Sequence, residues 1–94
     1  MSETTKRAKT YGLPNKTTQE ELECRWRKVL NFGDRVLLAG YFYNGKNKPC
    51  YYGAVYEYLT EDKTIEGEIG LSAASEIEFE DDGHAIAWAM SQTK

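Results

Sequence analysis

Arg35-Val36-Leu37-Leu38-Ala39-Gly40-Tyr41-Phe42-Tyr43 decides the fold of this chain. Branched and aromatic side chains favour an extended strand, and apolar groups occupy both of its faces instead of alternate positions. Such a strand has one face in a core and the other partly covered, for which a helix is the natural cover. The loop Asn44-Gly45-Lys46-Asn47-Lys48-Pro49 follows. A second strand, Cys50 to Leu59, then sets Tyr51, Gly53, Val55 and Leu59 on one side and Tyr52, Ala54, Tyr56 and Tyr58 on the other. Thr60-Glu61-Asp62-Lys63 reads as a tight turn into a third strand, Thr64 to Leu71. There Ile65, Ile69 and Leu71 alternate with Glu66, Glu68 and Gly70.

Upstream, Thr17-Thr18-Gln19-Glu20-Glu21 carries a helix-start signal: a Thr cap followed three residues later by a carboxylate, with acidic residues in the first turn. Leu22, Trp26, Val29 and Leu30 fall on one helical stripe, and Arg25, Arg27 and Lys28 occupy the last turns before Gly33. The spacing predicts one helix over residues 18–31. Residues 1–16 are polar and basic, with only Tyr11 and Leu13 as sizeable apolar groups, and are expected to form a flexible basic arm ahead of a single domain at 17–94. Downstream, Ser72-Ala73-Ala74-Ser75 suits a single helical turn, Glu76-Ile77-Glu78-Phe79-Glu80 alternates as a strand, and Asp81-Asp82-Gly83 supplies a turn. His84 to Met90 fits two elements. Alternation of His84, Ile86, Trp88 and Met90 against alanines suits a strand, whereas the alanine content and the preceding Asp residues suit a short helix. The strand is the preferred expectation.

The sum is an α+β fold: an N-terminal helix packed on a small antiparallel sheet of four or five strands, closed or half-closed into a barrel. Gly33-Asp34-Arg35-Val36, then Ala39, then Tyr51-Tyr52-Gly53-Ala54-Val55, resembles the first two strands of a Tudor-like (SH3-like) small barrel, with its Gly-Asp-x-Val start and aromatic-x-Ala-Val second strand. The turn at Ser72 to Ser75 before a last hairpin is similar to that class as well. The resemblance implies a fold and, for surface aromatics, a cage for a methylated ammonium; a shared fold transfers no function by itself.

At 94 residues and 10.7 kDa the chain holds one domain, and with 40% apolar and 13% aromatic residues it can bury a core. Its longest uncharged apolar run, Val36 to Tyr43, is far shorter than the roughly 20 residues that cross a bilayer. The polar start Met1-Ser2-Glu3-Thr4-Thr5-Lys6-Arg7 lacks a following apolar signal segment, so the expected location is cytoplasmic, away from membranes. Cys24 and Cys50 form no Cys-x-x-Cys pair and are expected to be reduced thiols. Neither has a histidine close in sequence to activate it, and His84, the one histidine, is a weak metal-ligand candidate beside Glu80, Asp81 and Asp82. Asn44-Gly45-Lys46 lacks the glycine spacing of a phosphate loop. No catalytic set assembles, so the expectation is a binding protein without enzyme activity, cofactor or metal.

Charge is the most informative feature. Residues 1–50 carry ten Lys or Arg and five acidic residues, whereas residues 51–94 carry two Lys and ten acidic residues. If the two acidic strands are neighbours, Glu66, Glu68, Glu76, Glu78 and Glu80 share an outward face, with Asp81 and Asp82 at its turn. Opposed like charges destabilise a sheet by up to roughly 1 kcal/mol per pair, so something should compensate. Solvation and screening, or Arg25, Arg27 and Lys28 folding over the face, would serve. So would docking on a basic partner surface, for instance that of a nucleic-acid-handling protein, as a stoichiometric inhibitor or adaptor of viral or mobile-element type.

The second feature is tyrosine. Tyr41, Tyr43, Tyr52, Tyr56 and Tyr58 crowd the central strands with Tyr51 and Phe42, more than a small core needs, and surface positions are expected for some of them. They are either half-buried cover for the sheet or anchors of a protein interface. An alternative function, nucleic-acid binding, would use Lys6, Arg7 and Lys9 of the arm with Lys46, Lys48 and the surface tyrosines. A third is a small-molecule or nucleotide sink between protomers. The apolar strand 35–43, if left at an edge, would invite pairing with a second copy or a partner strand.

Overall fold

In the computed structural model, which describes residues 11–43, 45–75 and 77–92, β3 (Arg35–Tyr43) and β4 (Pro49–Tyr58) form the central antiparallel pair, in register from Arg35↔Glu57 to Tyr43↔Pro49. The decisive stretch is therefore a strand, apolar on both faces and covered on both from Val36 to Gly40. Around it stand β1 (Lys16–Thr18), β2 (Lys28–Phe32) and β5 (Glu68–Ala74), giving one antiparallel sheet of order β1-β5-β4-β3-β2. The sheet curls into a half-barrel. It does not close: β1 and β2 are its two edges, and no ladder joins them among the described residues. The fold is α+β, with five strands and two helices.

The first helix, α1 (Gln19–Arg25), comes after β1 and is half the length expected. Thr18 caps it, its hydroxyl accepting from the Glu21 amide at 3.2 Å. At Trp26 the backbone turns extended (φ −124°, ψ 144°), and residues 28–32, read from sequence as helix, pair with β3 instead. The physical reason is the hairpin: Gly33, at φ +61°, supplies the positive dihedral needed at the first position of a two-residue II′-type turn between Phe32 and Arg35. Leu22, Trp26 and Val29 still pack on a common core, but through a helix and a strand.

The C-terminal segment corrects the preferred strand at residues 84–90. It is α2 (Asp82–Ser91), capped by Asp81, whose carboxylate accepts from the His84 amide at 2.7 Å. The deciding stripe is Ala85, Ile86 and Ala89, all buried, at helical spacing. Small residues let the helix lie close to the sheet: a Cβ on Gly53 of β4 would come within 2.6 Å of the Ala85 carbonyl oxygen. Other boundaries shift too. Residues 60–67 are a loop organised by Asp62, which accepts from the Thr64 amide at 3.2 Å, so the third expected strand starts at Glu68 rather than Thr64. The expected helical turn at 72–75 is largely strand β5, and the strand expected at 76–80 is reduced to one bridge, Tyr51↔Phe79.

Two cores result. On one face Val36, Leu38, Tyr52, Ala54, Tyr56 and Ile69 pack under α1 and the N-terminal segment, with Tyr11 and Leu13 buried among them. On the other, Leu37, Ala39 and Val55 pack under α2. Tyr11 and Leu13, assigned from sequence to the arm, are thus part of the core. Tyr11 stacks on Tyr52 with centroids 4.1 Å apart and donates its hydroxyl to the Ser75 carbonyl at 2.9 Å. The remainder of the arm, residues 1–10, lies outside the described residues. No described helix is long and apolar enough to cross a membrane.

Candidate functional site: a basic and aromatic cleft

The sequence places Arg25-Trp26-Arg27-Lys28 between the end of α1 and the start of β2. Lys28 pairs with Ala39, so β3 runs on past the edge strand through Gly40 to Tyr43 without it. That notch is the floor of a cleft of about 480 Å³ lined by Arg25, Trp26, Arg27 and Lys28 on one side and Ala39, Gly40, Tyr41 and Tyr43 of β3 below. Pro49 and Tyr51 of β4 and Asp82 of α2 complete it.

Its aromatic wall is built by strand periodicity. Tyr41 and Tyr43 project to the face of Ala39 and are 53% and 63% exposed. Their rings meet edge to face at 5.8 Å, and Tyr41 lies 5.6 Å from Tyr51. Trp26 is held from behind. Its Nε1 donates to the Tyr52 hydroxyl at 2.9 Å, and Gly40 leaves room for both rings, since a Cβ there would collide with the Tyr52 hydroxyl and come within 2.8 Å of Trp26 Cδ1.

Three cations crowd this rim, and no carboxylate stands within 4 Å of any of them among the described residues. Arg25 instead lies over the Trp26 ring, 4.7 Å from its centroid. Other cations do pair with carboxylates: Lys16 with Glu68 at 3.7 Å, Arg35 with Glu57 at 2.9 Å, Lys63 with Asp34 at 3.3 Å. The arrangement can attract an anion and offer it planar groups on which to stack.

The described acidic residues among those singled out from sequence are not gathered in one place. Glu68 lies on β5 beside Leu59, whose amide donates to its carbonyl at 2.9 Å, and Glu66 is in the preceding turn. Glu78 and Glu80 flank Phe79, which bridges Tyr51 at the opposite end of β4. From Tyr51 to Leu59 an extended chain covers about 26 Å, so the two groups stand at opposite ends of the sheet. Glu76 lies outside the described residues. Asp81 is the α2 cap: hydrogen bonds from the His84 amide, then from its ring, hold the Asp81 carboxyl below the usual carboxylate range. Asp82 is the member of the set that reaches the cleft.

Of the five tyrosines expected at the surface, Tyr41 and Tyr43 are there. Tyr52 and Tyr56 are buried in the α1-side core, and Tyr58 is half-buried, its hydroxyl accepting from Asn31 at 2.8 Å. Burial raises the pKa of Tyr52 and, more strongly, of Tyr56. Lys46 and Lys48 lie in the loop joining the two strands that form the cleft floor. Lys6, Arg7 and Lys9 lie outside the described residues. Cys24 is exposed and Cys50 partly buried, with no disulfide between them, and no group of three potential metal ligands occurs among the described residues. Sequence reasoning missed the cleft because Arg25, Arg27 and Lys28 were absorbed as helix-end cations. The signal was the interleaving of Trp26 among them directly before a strand.

Comparison with curated proteins and with solved structures finds no match. A family model does match over residues 13–93, from the buried N-terminal segment through α2, and on that evidence the chain belongs to the family of nucleotide modification associated domain 4, Nmad4.

Proposed function

We propose that the chain is an accessory module in a nucleotide-modification system, without catalytic chemistry of its own, and that it holds single-stranded nucleic acid in the basic and aromatic cleft. The family description supports the first part. The second rests on one observation: Arg25, Arg27 and Lys28 gather, free of carboxylate partners among the described residues, beside the exposed rings of Tyr41 and Tyr43. Cations recruit phosphates, and exposed aromatic rings stack only on bases that are not already paired. A notch of about 480 Å³ suits a nucleotide better than a duplex groove. Presenting an unpaired strand is also what base modification requires, because the target atoms of a stacked base are out of reach. Docking of a basic protein on an acidic sheet face has less support, since its carboxylates stand at opposite ends of β4.

The test is fluorescence anisotropy with a labelled mixed-sequence single strand and the matching duplex. Single-strand binding is expected at ~50 mM salt, weakening as salt rises with a log–log slope near −2 for three phosphate contacts. Replacing Arg25, Arg27 and Lys28 together by Gln should cut affinity at least ~10-fold with the circular dichroism spectrum unchanged. Absence of single-strand binding at low salt, or indifference to the triple replacement, refutes the assignment.

A further inference from the structure

We infer that Asp82 makes the cleft selective for nucleobases that present N–H donors, guanine above all. The inference rests on the single-strand reading above and names what that cleft distinguishes. Apart from Asp82 the titratable lining is cationic or phenolic: Arg25, Arg27 and Lys28 can only donate hydrogen bonds, and the tyrosine hydroxyls can do either. Asp82 is the one carboxylate in the lining among the described residues. For phosphate binding alone it is a defect, because it repels the group that the three cations attract. Ionised, it can only accept, and it therefore calls for a ligand with donors.

Its neighbour is engaged elsewhere. Asp81 takes the His84 amide at 2.7 Å and the His84 ring Nδ1 at 2.8 Å, which leaves capping of α2 to Asp81 and the cleft wall to Asp82. A position in the first turn of α2 holds Asp82 on a regular element, where the helix dipole also favours its negative charge.

The bases differ in what they show a carboxylate. Guanine carries a ring N–H and an amino group side by side, which match the two oxygens of one carboxylate. Adenine and cytosine offer an amino group beside an acceptor. Thymine and uracil offer one N–H flanked by two carbonyl oxygens that a carboxylate repels. Charge-assisted hydrogen bonds of this kind are the stronger sort, and carboxylates recognise amino groups on bases elsewhere in nucleic-acid readout. The order expected is guanine first, adenine and cytosine next, thymine or uracil last.

The experiment compares thymine-tract oligonucleotides that differ at one central position. Wild-type protein should bind the guanine-containing strand roughly 10-fold more tightly than the all-thymine strand. Asp82→Ala should bring that ratio near one without weakening the all-thymine complex, because a repulsive charge has been removed. Asp82→Glu, which keeps the carboxylate, should retain a preference. If Asp82 served only the helix dipole, Asp82→Ala would lower thermal stability and leave the ratio unchanged, which overturns the inference. A wild-type ratio of one, with all-thymine binding that still depends on Arg25, Arg27 and Lys28, overturns it while sparing the cleft. Failure of every strand to bind removes both.

Discussion

The hydroxyl of Tyr56 donates to the Pro14 carbonyl oxygen at 2.8 Å from a ring that is wholly buried, so one phenol ties the N-terminal segment to the central strand. Tyr56→Phe should cost about 1–2 kcal/mol in chemical denaturation, for the lost bond and the half-buried Pro14 carbonyl that loses this donor. The same burial sets a pH limit. Tyr56 has its pKa raised above the ordinary value of about 10, so the unfolded chain loses the proton first. The stability it contributes is complete below about pH 10 and declines as pH climbs toward the folded value, and Tyr56→Phe should flatten that alkaline decline. Tyr52, raised by burial and partly offset by the hydrogen bond from Trp26, acts in the same direction. Melting temperatures between neutral and strongly alkaline pH would show it.

Among the elements, the seat of α2 on β4 is the most exacting. Gly53 lies against the Ala85 carbonyl at a separation that a Cβ would reduce to 2.6 Å, with Trp88 Cε3 at 3.0 Å. Gly53→Val should lift α2 from the sheet and destabilise the protein by about 1–3 kcal/mol, with greater exposure of Trp88 seen as a red-shifted emission. Gly45→Val, at a position with open space, is the control. This contact also explains what could be read from sequence. The strands at 35–43 and 49–58 are visible because their residues alternate or are apolar throughout. The alanines of α2 were ambiguous because they become helix only where Gly53, some thirty residues earlier, gives them a surface to approach. Likewise Val29 and Leu30 fit a helical stripe until Gly33 turns the chain and β3 supplies a partner. In both places pairing over distance overrode local pattern. The cleft had the same fate: its basic and aromatic residues are plain in the sequence, but only the register of Lys28 on Ala39 places them over Tyr41 and Tyr43.

At the scale of the whole molecule, a net charge of −3 conceals a division, with a cationic rim at the notch beside β2 and the acidic groups mostly at other positions. A single net value therefore misdescribes how the protein meets a polyanion. The wild-type chain should be held by an anion exchanger at neutral pH and also be retarded on heparin at ~50 mM salt. Replacing Arg25, Arg27 and Lys28 by Gln should abolish the heparin retention and strengthen the exchanger retention. Equal loss on both columns would mean that the cations are not grouped as described.

The order of strands carries one more consequence, for how the chain folds. Among the described residues β1 pairs only with β5, and the Tyr11 hydroxyl meets its acceptor at Ser75 across a sequence separation of 64 residues. The N-terminal segment therefore has two anchors, β4 through the Tyr11–Tyr52 stack and the Tyr56–Pro14 hydrogen bond, and β5, which lies later in the chain. The β3–β4 hairpin, by contrast, joins partners that are close in sequence and closes only a short loop. Local pairings close sooner than distant ones, so amide-exchange labelling during refolding is expected to protect the β3–β4 hairpin before β1 is fastened to β5.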